Sequence, residues 1–356
     1  MTKEHSVNGF QKYLAGAAAS LAIAVAATTA LADPAIEKTV KSPSPGIYEI
    51  AFNQAKNELY VAAPGGRGAE KGFVLVLDGA TLDEKSRIDV TSDAAYGLGF
   101  NEKTQTLYTT NTRADSVSAI DVATGKITTI KGKEGAFTHG REVVVDEDSN
   151  TIYVSMMGGR NGQTGKVWVI DGATNTLKEE ILDVGLGVTG LVLDKQGNRL
   201  FATDMTANQV VAVDLEKKRV AARWPTGGET PINLDYDPQA KLLYIANQGS
   251  ATVGVVSTEF GAVVDTIYTG NGPLGIRLSK GDGMLYVANR QSGTTSVIDT
   301  RTRKVVATLD TGSLPQTVAV DPRSNTAYVS NKARTGGRNA PPVEDPNGDT
   351  IAIIRP

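Results

Sequence analysis

The phrase Leu285-Tyr286-Val287-Ala288-Asn289 decides the fold, because it recurs. Leu243-Tyr244-Ile245-Ala246-Asn247 precedes it and Ala327-Tyr328-Val329-Ser330-Asn331 follows it. Upstream stand Leu200-Phe201-Ala202-Thr203-Asp204, Ile152-Tyr153-Val154-Ser155, Leu107-Tyr108-Thr109-Thr110-Asn111 and Leu59-Tyr60-Val61-Ala62. The seven aromatic residues follow one another at 48, 45, 48, 43, 42 and 42 residues. Each phrase is too short for a helix and carries residues that suit a pleated, buried surface. Before it runs another apolar segment ending in a turn, as in Val318-Ala319-Val320-Asp321-Pro322. After it comes a segment ending in Asp, such as Val210 to Asp214. A polar turn like Ala123-Thr124-Gly125-Lys126 and a fourth segment like Lys304 to Leu309 complete the unit. Asp followed by Pro, Gly or Lys is turn chemistry. Four short antiparallel strands at this period make a β-propeller blade. The expectation is an all-β, seven-bladed β-propeller.

The chain ends support closure. The seventh copy stops at Thr350 to Ile354, its third strand, while Ala35 to Lys41 is an orphan strand ahead of the first repeat. That strand is expected to complete the last blade, since an open edge would invite pairing with other chains.

Residues 1–32 read as a signal peptide. Lys3 and Lys12 precede an Ala-rich, uncharged stretch from Leu14 to Leu31, ending in Ala30-Leu31-Ala32. Cleavage after Ala32 would leave a single domain, residues 33–356, in the periplasm or outside the cell, with net charge −4 instead of −3. A retained membrane anchor is the competing reading of that stretch. No other segment is apolar enough to span a bilayer, and a closed ring hides its own edges, so a monomer is expected.

The absence of cysteine rules out disulfides and thiolate chemistry, and His5 and His139 are too few for a multi-histidine metal site. No cofactor motif survives inspection. Gly185-x-Gly187-x-x-Gly190 precedes a strand, not the helix that dinucleotide binding needs. Asp146-x-Asp148-x-Asn150 and Asp345-x-Asn347-x-Asp349 offer oxygen ligands at alternate positions, as calcium loops do, but lack the following bidentate Glu. No Gly-x-Ser-x-Gly elbow accompanies His139.

The Tyr-Val-Ala-Asn and Tyr-Val-Ser-Asn phrases resemble the YVTN-repeat family of β-propellers, over essentially the whole of residues 33–356. Tyr48-Glu49, Arg141-Glu142, Thr189-Gly190-Leu191 and Ile232-Asn233 sharpen the resemblance. It implies a periplasmic propeller and brings single-stranded DNA forward as a ligand. The loop from Lys332 to Asp349 departs from the family in composition, so no ligand contact is carried over there.

Aligning the innermost strands on Asn53, Asn101, Asp146, Asp194, Asp237, Ser279 and Asp321 brings seven pairs to one axial mouth. They are Tyr48-Glu49, Tyr96-Gly97, Arg141-Glu142, Thr189-Gly190, Ile232-Asn233, Leu274-Gly275 and Gln316-Thr317. The loops after the repeat phrase add Arg67, Arg113, Arg160, Arg290, Lys332, Arg334 and Arg338 to that upper face, with Phe137 and Trp224 expected nearby. Arginine forks suit phosphate or carboxylate, and aromatic rings can stack on unpaired bases. Solvated loop arginines, some paired with Glu70 or Glu344, are the bland alternative. Arg141-Glu142 could equally be an inter-blade ion pair. The candidate ligand-binding residues are Tyr48, Glu49, Tyr96, Arg113, Arg141, Glu142, Arg160, Trp224, Asn233, Arg290 and Gln316. The leading expectation is a non-catalytic binding protein for an anionic ligand. The alternatives are a lactonase-like hydrolase and a protein-interaction platform built on the Lys332–Asp349 loop.

Overall fold

In the computed structural model, described for residues 33–65, 71–132, 139–158, 162–336 and 343–356, Asp33–Pro356 forms one compact unit. The proposed signal peptide and Arg67, Phe137, Arg160 and Arg338 lie outside the described residues. Among the described residues the strands form seven four-stranded antiparallel sheets, six of them in sequence order from the innermost strand outward. The innermost strands are Ile50–Asn53, Gly97–Asn101, Gly140–Asp146, Val188–Asp194, Pro231–Asp237, Pro273–Ser279 and Leu314–Asp321. They belong to blades one to seven.

The seventh blade is the exception to sequence order. Its outermost strand is Ala35–Lys41, paired antiparallel with Thr350–Arg355 from Ala35 opposite Arg355 to Lys41 opposite Thr350. The orphan strand read from the sequence is the clasp of the ring.

Seven apolar clusters carry the core, one between each pair of neighbouring blades. Tyr244, Val253 and Val255 of blade five meet Ile276, Leu285 and Val287 of blade six, and Ile47, Leu59 and Leu75 meet Tyr328 and Ile353 across the closure. This explains the pattern of each repeat. The second strands, such as Glu58–Ala63 and Met284–Asn289, are buried on both faces and read as continuous apolar runs. The outermost strands, such as Arg219–Pro225, alternate between exposed and half-buried. The repeat tyrosine also ties blades together through its hydroxyl: Tyr328 donates to the Gly79 carbonyl (2.7 Å) and Tyr108 to Asn175 Oδ1 (2.7 Å).

Both acidic spacings are satisfied by protein donors. Lys195 bridges Asp146 and Asp148 (2.9 Å each), and Lys103 reaches Asp148 at 2.5 Å. In the second, the Lys41 ammonium bonds the Asp345 carbonyl (3.0 Å) and the Gly348 carbonyl (2.5 Å). Asp349 accepts from the backbone of Ile47 and Ala333. Lys195 sits between the Asp146 and Asp148 carboxylates.

Candidate ligand-binding mouth

The residue two places after each repeat aromatic builds the mouth. In blades two, three, four and seven it is Thr110, Ser155, Thr203 and Ser330. Each hydroxyl donates to a backbone carbonyl of the next blade: Thr110 to Arg141 (3.0 Å), Ser155 to Thr189 (2.5 Å), Thr203 to Ile232 (2.7 Å) and Ser330 to Tyr48 (2.7 Å). Three also accept a backbone N–H from their own blade, from Gly97 (2.8 Å), Glu142 (2.9 Å) and Gly190 (2.8 Å). These hydroxyls pin neighbouring blades at the positions where the mouth pairs begin.

A second device turns both members of a pair inward. Successive residues of a regular strand face opposite sides, but the pairing register shifts between Gly140 and Val143 and between Pro231 and Leu234. It shifts at the same place in blades four, six and seven. An extra residue there bends the strand and re-aims its side chains. Arg141 and Glu142 therefore both line the axial cavity, as do Ile232 and Asn233.

That cavity measures ≈ 530 Å³, and every blade contributes to it. Tyr48, Glu49, Tyr96, Arg113, Arg141, Glu142, Asn233, Arg290 and Gln316 line it, as the sequence predicts. Trp224 does not. It lies on the outermost strand of blade four, half-buried, its ring 5.8 Å from Phe201 and packed against the turn at Gly261. The alternation of that strand turns the indole into the inter-blade core, which corrects its placement beside the mouth.

Sequence reasoning missed a ring. The position four residues after the repeat aromatic supplies Thr112, Met157, Met205, Gln248 and Arg290 to the cavity wall. The constant offset was visible, but attention to charge hid its uncharged members.

The upper rim is cationic and aromatic. Tyr48 and Tyr96 meet edge to face, centroids 5.0 Å apart. Arg113 lies over Tyr96 at 5.4 Å, and Lys332 sits 4.0 Å from the Tyr48 ring centre while bonding its hydroxyl at 2.8 Å. Arg290 donates to Gln316 Oε1 and Arg141 to the Met157 thioether (3.5 Å). Among the described residues none of Arg113, Arg141, Arg290, Lys332 and Arg334 forms an ion pair; Glu70, the other acid considered above, lies outside the described residues. Burial lowers the basicity of Arg141 and Arg290. Burial also opposes ionisation of Tyr48. The Lys332 hydrogen bond and the charges of Lys332, Arg290 and Arg141 outweigh it, leaving its hydroxyl more acidic than an ordinary phenol.

The floor is acidic around a fixed cation. Arg277 lies inside the innermost strand of blade six, in the fields of Asp235, Glu142 and Glu49. Desolvation works against its charge and the three carboxyl groups more than restore it. Asp235 is buried and accepts from the backbone of Tyr236 and Leu278 (2.8 Å each). Glu49 accepts from the Thr317 hydroxyl, yet burial raises its pKa. Glu142 is pushed up to about 8, by burial first and then by the charge of Glu49. The charge of either carboxyl group disfavours ionisation of the other. With Arg277 as resident cation, Arg141 and Glu142 are not an ion pair but two layers of one site.

A second cavity of ≈ 470 Å³ opens between blades five and six beside Asp237, Asp265, Arg301 and Arg303. Its arginines are already matched, Arg301 with Asp299 (3.2 Å) and Arg303 with Asp265 (3.6 Å).

Comparison with known proteins follows the same lines. The family model "Lactonase, 7-bladed beta-propeller" matches residues 151–273. The YncE protein of Escherichia coli O157:H7 is 31% identical over 260 residues, covering 69% of this chain and 70% of its own length. The YncE protein of Salmonella typhi is 31% identical over 263 residues, covering 70% and 71%. Among solved structures, hydrazine synthase of Kuenenia stuttgartiensis superposes with a TM-score of 0.68 at 19% identity, over 82% of this chain and 94% of that one. At that identity the likeness concerns the fold.

Proposed function

This chain belongs to the YncE family of β-propeller proteins, and from that premise we propose that it is a non-catalytic periplasmic binding protein whose axial mouth captures an anionic ligand. One observation carries the reading. Arg113, Arg141 and Arg290 line a single cavity with Tyr48 and Tyr96, and among the described residues none of these arginines is matched by a carboxylate, whereas lysines elsewhere, such as Lys103 and Lys195, are. Unmatched arginines on a concave surface are built for phosphate or carboxylate.

Single-stranded DNA is the finer form of this proposal, supported by the family resemblance and by rings available for base stacking. The test is binding of labelled single-stranded DNA across a salt series, beside R141A and a triple alanine variant of Arg113, Arg141 and Arg290. If all three contact phosphates, the triple variant should flatten the slope of log K against log salt by about 2. Salt-insensitive binding, or an unchanged slope in the variant, would sink the reading.

The partial match to the lactonase family model favours a second reading, hydrolysis with Glu142 as general acid or base, its raised pKa suiting either role at neutral pH. Turnover of lactones by the wild type, lost in E142Q, would replace the binding-protein reading.

A further inference from the structure

The mouth cavity carries two unmet chemical needs, and they differ in sign. At the rim, the Arg141 guanidinium has, among the described residues, a thioether as its side-chain hydrogen-bond partner. Directly beneath, the Glu142 carboxyl group has no protein donor among the described residues; its backbone N–H alone is bonded, to Ser155. Both side chains line the same ≈ 530 Å³ space because a bulge sets two consecutive residues of one strand toward the axis. Glu49 stands on the same floor, where the three carboxyl groups of Asp235, Glu49 and Glu142 share the single guanidinium of Arg277, so the floor has acidic groups in excess. A purely anionic ligand would satisfy the rim and leave the floor bare.

We propose that the cavity takes an amphoteric small molecule of the amino-acid or short-peptide kind, its carboxylate or phosphate held by Arg141 and Arg290 and its ammonium group by Glu142 with Glu49. This rests on the anion-binding reading of the rim and adds the opposite end of the ligand. Tyr48 and Tyr96 line the same cavity and offer apolar ring surface to the aliphatic part. The volume lies within the range of small-molecule sites. Glu142 is protonated when the cavity is empty at neutral pH. Seating an ammonium group there drives its proton into solution, a signature that a simple anion does not produce.

The probe is 6-aminohexanoate, compared by titration calorimetry at pH 7 and low salt with its N-acetyl derivative, an anion, and with 6-aminohexanamide, a cation. Buffers of different ionisation enthalpy count the protons. The expected result is at least tenfold tighter binding of the zwitterion than of either relative, with up to one proton released per ligand. E142Q should reduce that preference to twofold or less and abolish proton release. R141A should weaken both carboxylates about equally. Equal binding of 6-aminohexanoate and its N-acetyl derivative, with no proton release, would overturn the amphoteric proposal and leave the anion reading standing. Failure of every carboxylate to bind, or indifference to R141A, would overturn both.

Discussion

Replacing Glu142 with glutamine should make the protein more stable, and only as pH rises. In the folded chain burial and the Glu49 charge raise the Glu142 pKa to about 8, while an unfolded glutamate titrates near about 4.3. The folded state therefore binds the proton more tightly. The stability this group supports is fully present below about pH 4 and is lost as pH climbs toward 8. Each pH unit in that window costs the wild type at most ~1.4 kcal/mol relative to an uncharged isostere, so about 4 kcal/mol between pH 5 and pH 8. At about 2 °C per kcal/mol for a chain of this size, the Tm gap between E142Q and wild type should open by up to ~8 °C. Thermal melts of both proteins at pH 5, 6, 7 and 8 read it directly. The gap should be near zero at pH 5 and level off above pH 8. A gap constant from pH 5 to pH 8 would refute the reasoning, since Glu142 would then be ionised throughout. Glu49→Gln in the same series removes the second cause of the shift, so the loss due to Glu142 should level off at lower pH and be smaller in total.

Other expectations follow from the packing. Thr203→Val strands the buried Gly190 N–H and leaves the Ile232 carbonyl to the Thr189 hydroxyl alone at the blade four–five junction, and should cost about 1–3 kcal/mol by urea denaturation. Trp168 is fully buried between blades two and three and fills the space beside Gly132, so Trp168→Ala should cost about 3–5 kcal/mol. Removing residues 33–41 bares Thr350–Arg355 as an edge; light scattering should show association at concentrations where the intact chain stays monodisperse.

Much of this molecule is written in its sequence because a repeat states each feature seven times. The period gave the blades, the orphan strand Ala35 to Lys41 gave the clasp, and the shared alignment placed Tyr48, Glu49, Arg141 and Glu142 on one cavity. What escaped were features that belong to one blade alone. Trp224 sits near the upper end of its strand, and only the register of the outermost strand turns it into the core. Arg277 was the larger omission. A charge between Ile276 and Leu278, in a strand buried between neighbours, is itself a signal of a polar axis, as is Asp235 between Leu234 and Tyr236. The inward bulges could not be read, since they depend on pairing across strands rather than on either strand's residues.

The clasp has a consequence for the order of events in time. Blade seven draws its outermost strand from Ala35–Lys41 and the strand beside it from Thr350–Arg355, so two stretches more than three hundred residues apart must meet before the ring locks. A chain made from its N-terminus can stack early blades one on another, as nearest neighbours in a row. Its leading strand waits unpaired until the final few residues arrive. Anything that keeps Ala35–Lys41 from Thr350–Arg355 also leaves blade seven without its outermost strand.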